Sequence, residues 1–251
     1  MFWECHVVAS SIDKLLDQPS DQVRLQDLLD ESDLIQECLN QNERLLDYLI
    51  QPNIMKELIG HVISVPDDGQ FRNAHVVSEL LSGDFQRIQD TLLSSEHLDL
   101  IYSFVCEDYV DSSITLNPIL ASYFARIIGT LIVRKPMEII NYFKSRETFK
   151  TDFIHHLDST SIADILFRFV ADSADQRSLA IQWYEEIHLM DDLMEEFRRT
   201  NSTSVQMNIG NLFSEFLRLA FDQQTALDTD FLTTNASSMT EHLLYGRNTG
   251  A

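Results

Sequence analysis

Apolar residues recur every three to four positions along almost the whole of this chain, and alternation over a strand-length window is hard to find. A period near 3.6 lays one apolar stripe along a helix, whereas a strand requires a period of two. The predicted fold class is therefore all-α. Turn chemistry points the same way: Gly 7 and Pro 5 make 12 of 251 residues, less than half the usual combined share of about 12%. Few residues are left for tight turns, bulges and hairpins.

The stripes can be followed in order. Leu34, Leu45, Leu46 and Leu49 mark helices near 33–50, and Pro52 sits where a new helix can begin, with Ile54, Leu58 and Val62 on one face. Pro66 to Gly69 ends it. Phe71, Ala74, Val77 and Leu81 form the next stripe, Gly83 breaks it, and Asp84 is a candidate cap for a helix carrying Phe85, Ile88 and Leu92. A further helix is predicted over about 96–105. From Asn117 and Pro118, Leu120, Phe124, Ile127 and Leu131 form one stripe that Ile119, Tyr123, Ile128 and Ile132 widen, so this helix is predicted to be buried on several sides. Pro136 restarts the pattern with Ile139, Ile140 and Phe143. It continues through Phe149, Phe153 and Leu157, then Ile162, Leu166 and Phe169, then Leu179, Trp183 and Ile187. Leu189, Leu193 and Phe197 precede a long helix carrying Ile209, Leu212, Phe216 and Leu219, after which 221–238 is polar and weakly periodic.

Roughly a dozen helices joined by short polar turns, with no strands to cover, predict stacked helical hairpins of the HEAT or armadillo-like helical-repeat solenoid type. No sequence repeat of that period is legible, and a globular bundle is the competing architecture.

Charge limits the partners. The chain carries 18 Lys and Arg against 40 Asp and Glu, a net charge of −22, so a phosphate backbone is repelled and no nucleic acid is expected. Anionic membranes are disfavoured likewise, and the longest apolar segment, Ile119 to Val133, contains Arg126 and falls short of the roughly 20 residues of a span. No membrane partner is expected. The first ten residues read as no secretory signal, and Cys5, Cys38 and Cys106, odd in number and far apart, suit reduced thiols. The expected location is the cytoplasm, with the nucleus as an alternative; the sequons at Asn201 and Asn235 then read as chance matches.

The familiar catalytic patterns are missing. Scattered glycines form neither GxGxxG nor a GK[ST] loop, and there is no GxSxG elbow. His155 and His156 are neighbours, about 100° apart on a helix rather than aimed at one metal. His61 follows Glu57 by four residues without a second histidine at ligand spacing, and no CxxC pair exists. Glu185, Glu186, Asp191, Asp192, Glu195 and Glu196 read as a solvated acidic face. No catalytic residue, cofactor or metal site is expected, and the chain is not expected to be an enzyme.

One local departure stands out: Arg134, Lys135, Lys144, Arg146 and Lys150 place five of 18 basic residues within 17 positions. Such an island can steer an acidic partner. It can equally be a solvated helix end, since Arg134 and Lys135 follow a long helix and favour its negative terminus.

The segment LQDLLDESDLIQECLNQNERLLDYL from Leu25 to Leu49, preceded by SIDKLLD from Ser11, is similar to the opening of the SAPS family, the Sit4-associated regulatory subunits of protein phosphatase 6. The MFW start agrees, and LNPILASYFARIIGTLIVRK from Leu116 to Lys135 resembles the family's second block, with a weaker match through Ala74, Glu79, Leu80 and Leu81. Order and spacing agree over about the first 145 residues; from 150 to 220 only the helical pattern continues, and after 221 no match is legible. Family members are usually longer, so residues 1–220 are expected to form a SAPS-like helical-repeat domain that is the N-terminal portion of a longer one, with 221–251 a weakly structured tail containing at most a short helix.

The resemblance implies a non-catalytic scaffold that binds the serine/threonine protein phosphatase 6 catalytic subunit and directs its substrate choice, with an ankyrin-repeat regulatory subunit as a candidate third member. The candidate partner-binding residues lie in the second block: Asn117, Pro118, Ser122, Arg126, Arg134 and Lys135. A second candidate surface is the first block's Asp27, Asp30, Glu31 and Asp33, whose bland alternative is capping and solubility. A generic α-solenoid adaptor unrelated to phosphatases fits the periodicity equally well.

Overall fold

The computed structural model describes residues 10–19, 22–106, 115–172 and 177–223, the side chains of 220–223 excepted. All fifteen regular elements among them are α-helices, 5 to 21 residues long. The chain divides into two compact units, Met1–Tyr102 and Ser103–Ala251.

The first unit contains α1 (Ser11–Leu16), α2 (Leu25–Leu29), α3 (Leu34–Leu39), α4 (Glu43–Leu49), α5 (Pro52–Ile63), α6 (Arg72–Ser82), α7 (Gln86–Leu92) and the start of α8 (Ser95–Cys106). Local signals explain several starts. Ser10 accepts a hydrogen bond from the Asp13 amide at 3.1 Å, Asn42 accepts one from Leu45 at 3.2 Å, and Pro52 occupies the first turn of α5. The predicted stripes form the core: Leu34, Leu45, Leu49, Leu58, Val77, Leu81, Ile88 and Leu92 are all buried, each worth about 1.5–3 kcal/mol on removal from water.

One boundary that the sequence reading left unplaced within 33–50 and one that it placed differently have local causes. The break between α3 and α4 falls at Gln41, whose φ of 58° is left-handed. The Asn42 amide donates to the Glu37 carbonyl and the Gln41 amide to that of Cys38, both at 3.0 Å, which is a Schellman end with glutamine in the usual glycine position. The cap of α7 is Phe85 and not Asp84. Phe85 is buried, and the carbonyl of Gly83 receives both the Phe85 amide and the Gln89 side chain, the latter at 2.8 Å, so packing sets this start in place of a carboxylate cap. A Cβ on Gly83 would lie 2.2 Å from the Phe85 ring, so only glycine fits.

The second unit contains α9 (Pro118–Arg134), α10 (Pro136–Lys144), α11 (Phe149–His155), α12 (Thr160–Ala171), α13 (Arg177–Glu186), α14 (Leu189–Arg199) and α15 (Thr203–Gln223). α9 packs mainly on α12 and α10, and α12 also on α13 and α15. At the α9–α12 crossing Gly129 is buried, and a Cβ there would come within 2.8 Å of the Arg168 guanidinium. Aromatics fill the interior: the Phe143 ring lies edge-on 5.5 Å from Phe149, 5.9 Å from Phe153 and 5.3 Å from Phe169, and Trp183 lies tilted 4.6 Å from Phe149. Tyr184 is wholly buried, donates its hydroxyl to the Leu166 carbonyl at 2.7 Å, and has its phenol pushed well above the ordinary value by burial. Asn208 of α15 donates to the carbonyls of Leu157 and Asp158 and accepts from Thr160, tying α15 to the start of α12.

The long helix α15 runs three residues past 220; the rest of the predicted tail and its short helix, with Cys5, Asn235 and the MFW start, lie outside the described residues. Among the described residues no helix is long and apolar enough to cross a membrane.

Candidate functional site

The second sequence block becomes α9 and the turn into α10. Asn117 is its N-cap: the side-chain oxygen accepts from the amides of Ile119 at 3.0 Å and Leu120 at 3.3 Å, and Pro118 takes the first helical position. Burial of Leu120, Phe124, Ile127, Ile128, Leu131 and Ile132 turns the opposite face outward. That outer face carries Ile119, Ser122, Arg126, Thr130 and Val133, spaced by three and four positions, about 21 Å of helix at 1.5 Å per residue. Ile119, predicted to widen the buried stripe, is 41% exposed instead, and Val133 is 53% exposed. Apolar ends therefore flank a polar middle.

Of the predicted contact residues, Pro118, Ser122, Arg126 and Arg134 are exposed, while Asn117 and Lys135 are half-buried. The structure brings Ser122 and Arg126 onto one stripe and places Arg134 in the last turn. The Ser122 hydroxyl donates back to the Ile119 carbonyl at 2.6 Å. Lys135 serves as the joint between α9 and α10, its amide donating to Leu131 and its carbonyl accepting from Ile139.

The rest of the basic island is drawn inward. Lys144 pairs with Glu186 at 3.3 Å; Lys150 pairs with Asp192 at 2.5 Å and donates to the Ile187 carbonyl at 2.8 Å. Arg146 stacks over the Tyr142 ring at 4.5 Å. The acidic run on α13 and α14 is thus a solvated face that also anchors α10 and α11, with Glu196 held by Arg199. The first block is similarly engaged: Asp27 pairs with Arg24 at 2.7 Å, Asp30 pairs with Arg72, and Asp33 accepts from Ser32 at 2.7 Å. Hydrogen bonding from Gln26 and then Arg72 holds the Asp30 carboxyl below its usual value.

His155 is exposed and His156 buried, their rings 5.0 Å apart and nearly perpendicular. The Nε2 atom of His156 lies 3.2 Å from the Val105 carbonyl, and burial, with His155 beside it, pushes the imidazole below its ordinary value. Buried Asp152 accepts from Thr148 at 2.7 Å and from the Cys106 thiol at 3.5 Å. Cys38 is buried, and desolvation pushes its thiol up to about 12, which suits an inert core position. Among the described residues no group of three or more His, Cys, Asp or Glu side chains is arranged to hold a metal. The sequence reading missed a cleft of about 600 Å³ in the first unit, lined by Gly60, His61 and Ser64 of α5 and its end and by Arg72 and Asn73 of α6. Only the turn residues Pro66 to Gly69 signalled it.

These features define a chain that is all-helical among the described residues and whose second block offers an outer face with apolar ends and a polar middle. The SAPS family model, described as SIT4 phosphatase-associated protein, matches residues 128–244. The chain is 33% identical to human serine/threonine-protein phosphatase 6 regulatory subunit 2 over 95% of its own length and 25% of that protein's. It is 30% identical to chicken regulatory subunit 3 over 89% of its length and 26% of that protein's, and 27% identical to the fission yeast extragenic suppressor of kinetochore protein 1 over 84% and 26%. By these matches the chain is similar to the SAPS family. It spans about a quarter of the length of the curated relatives it matches. No solved structure matches. The family model covers the region from 150 onward, including much of the segment after 221, where the sequence alone offered only periodicity or no match.

Proposed function

We propose that this chain is a non-catalytic regulatory subunit that binds the catalytic subunit of protein phosphatase 6 and directs its substrate choice. The observation that carries the reading is 33% identity to a phosphatase 6 regulatory subunit along 95% of the chain. Its helices stack as a HEAT or armadillo-like solenoid over residues 1–220, and the cytoplasm or nucleus is its place of action. The mechanism is positional: a rigid helical scaffold holds the catalytic subunit and raises the local concentration of substrates bound elsewhere on the assembly. An ankyrin-repeat subunit is the third member.

The docking surface is the outer face of α9, with Pro118, Ser122, Arg126 and Arg134 as contact groups and Asn117 and Lys135 as the residues that set its two ends. Exposed apolar groups at 119 and 133 support this choice, because a mixed apolar and basic strip on a strongly acidic chain suits a partner interface. The test is binding of the purified chain to the catalytic subunits of phosphatases 6, 2A and 4 across a salt series. Selective capture of phosphatase 6 is the expected result; indifference among the three would favour a generic adaptor.

A further inference from the structure

We propose that Ser64 is a phosphorylation site for an acid-directed serine kinase. Ser64 ends α5, where its backbone leaves the helix for an extended conformation, φ −117° and ψ 138°. Its amide still donates to the Gly60 carbonyl at 3.1 Å, which fixes the residue, while its side chain is exposed on the wall of the cleft beside α6. The hydroxyl has no hydrogen-bond partner among the described residues. The geometry required of a kinase substrate, an accessible hydroxyl on an extended backbone, is therefore already present.

Recognition comes from the next turn. Pro66 to Gly69 form a β-turn closed by the Gly69 amide on the Pro66 carbonyl at 2.9 Å, with Gly69 at φ +67°. Its two central residues, Asp67 and Asp68, are exposed three and four positions after Ser64. Asp68 is oriented by the Gln70 amide, which donates to its carboxylate at 2.9 Å. Two carboxylates at fixed places downstream of a free hydroxyl complement a kinase whose substrate groove is lined with Lys and Arg. Other serines with an Asp three residues on are differently placed: Ser10 spends its hydroxyl capping α1, and half-buried Ser161 lies inside α12.

In the reaction the Ser64 Oγ attacks the γ-phosphorus of ATP. The bond from that phosphorus to the bridging oxygen breaks to release ADP, and the hydroxyl proton passes to the kinase's base. The product adds about −1.5 to −2 charges beside Asp67 and Asp68.

The test incubates the full chain with casein kinase 2 and ATP and locates phosphate by peptide mass spectrometry, alongside Ser64→Ala, the double variant Asp67→Asn/Asp68→Asn and a synthetic peptide of residues 60–71. The expected result is phosphate on Ser64 of the native chain, none there in Ser64→Ala, and a rate reduced about tenfold or more in the double variant through lost electrostatic complementarity. Three results would overturn the proposal: no phosphate on Ser64 in the native chain while the peptide is modified, no modification of either, or a rate unaffected by removing both carboxylates.

Discussion

Gln41 holds a left-handed backbone that L-residues adopt at a cost of about 1–2 kcal/mol. Its Schellman hydrogen bonds are main-chain ones and survive substitution. Gln41→Gly should therefore raise stability by about 0.5–1 kcal/mol, the relief of strain exceeding the added unfolded-state entropy of glycine; urea melts of the two proteins measure it. His156 sets a pH dependence. Its neutral form is favoured by burial and by His155, against the opposing pull of the Val105 carbonyl, Asp158 and Asp152. Because its native pKa is depressed, the unfolded chain binds the proton first, at about pH 6.5. The stabilisation is complete above that pH, declines as pH falls below it, and levels off beneath the native pKa. His156→Gln, which keeps a donor for the Val105 carbonyl, should flatten this part of a pH series of urea melts between 7.5 and 5.

At the scale of elements, the helices with wide apolar stripes were legible: α5, α6 and α9 lie where Pro, Gly and the 3.6 period place them, and α12 carries the stripe of Ile162, Leu166 and Phe169. The α3–α4 break was not, because Gln41 replaces the glycine that announces such an end, and Phe85 rather than Asp84 heads α7 because burial outweighed capping. The site was legible in part. Asn117 and Pro118 mark the start of α9, but the pairing of Lys144 with Glu186 and of Lys150 with Asp192 spans 42 positions in sequence, beyond any local pattern. Asn117→Ala should cost about 0.5–2 kcal/mol by removing the cap, read as a lower midpoint in thermal or urea unfolding, while leaving the exposed groups of α9 in place. By contrast, Arg72→Ala breaks an exposed ion pair with the Asp30 carboxylate and an exposed hydrogen bond to the Asp30 carbonyl, and should change stability by less than about 1 kcal/mol.

For the molecule as a whole, the all-helical class followed from periodicity and scarce glycine, while the relation of 150–244 to the family did not, since only the sheer pattern of apolar positions remained visible there. Net charge of −22 makes nonspecific association with polyanions unfavourable, so any tight partner must be matched by shape and by local groups. The most direct measurement is a titration of the phosphatase 6 catalytic subunit with the full chain and with an Arg126→Glu/Arg134→Glu variant of unchanged helicity, using the phosphatase 2A and 4 subunits as controls. Saturable binding at least about tenfold tighter to phosphatase 6, weakened by the charge reversals by more than about 1.4 kcal/mol, is the predicted outcome. Equal affinity for all three subunits, or no binding by a folded chain, would contradict the assignment.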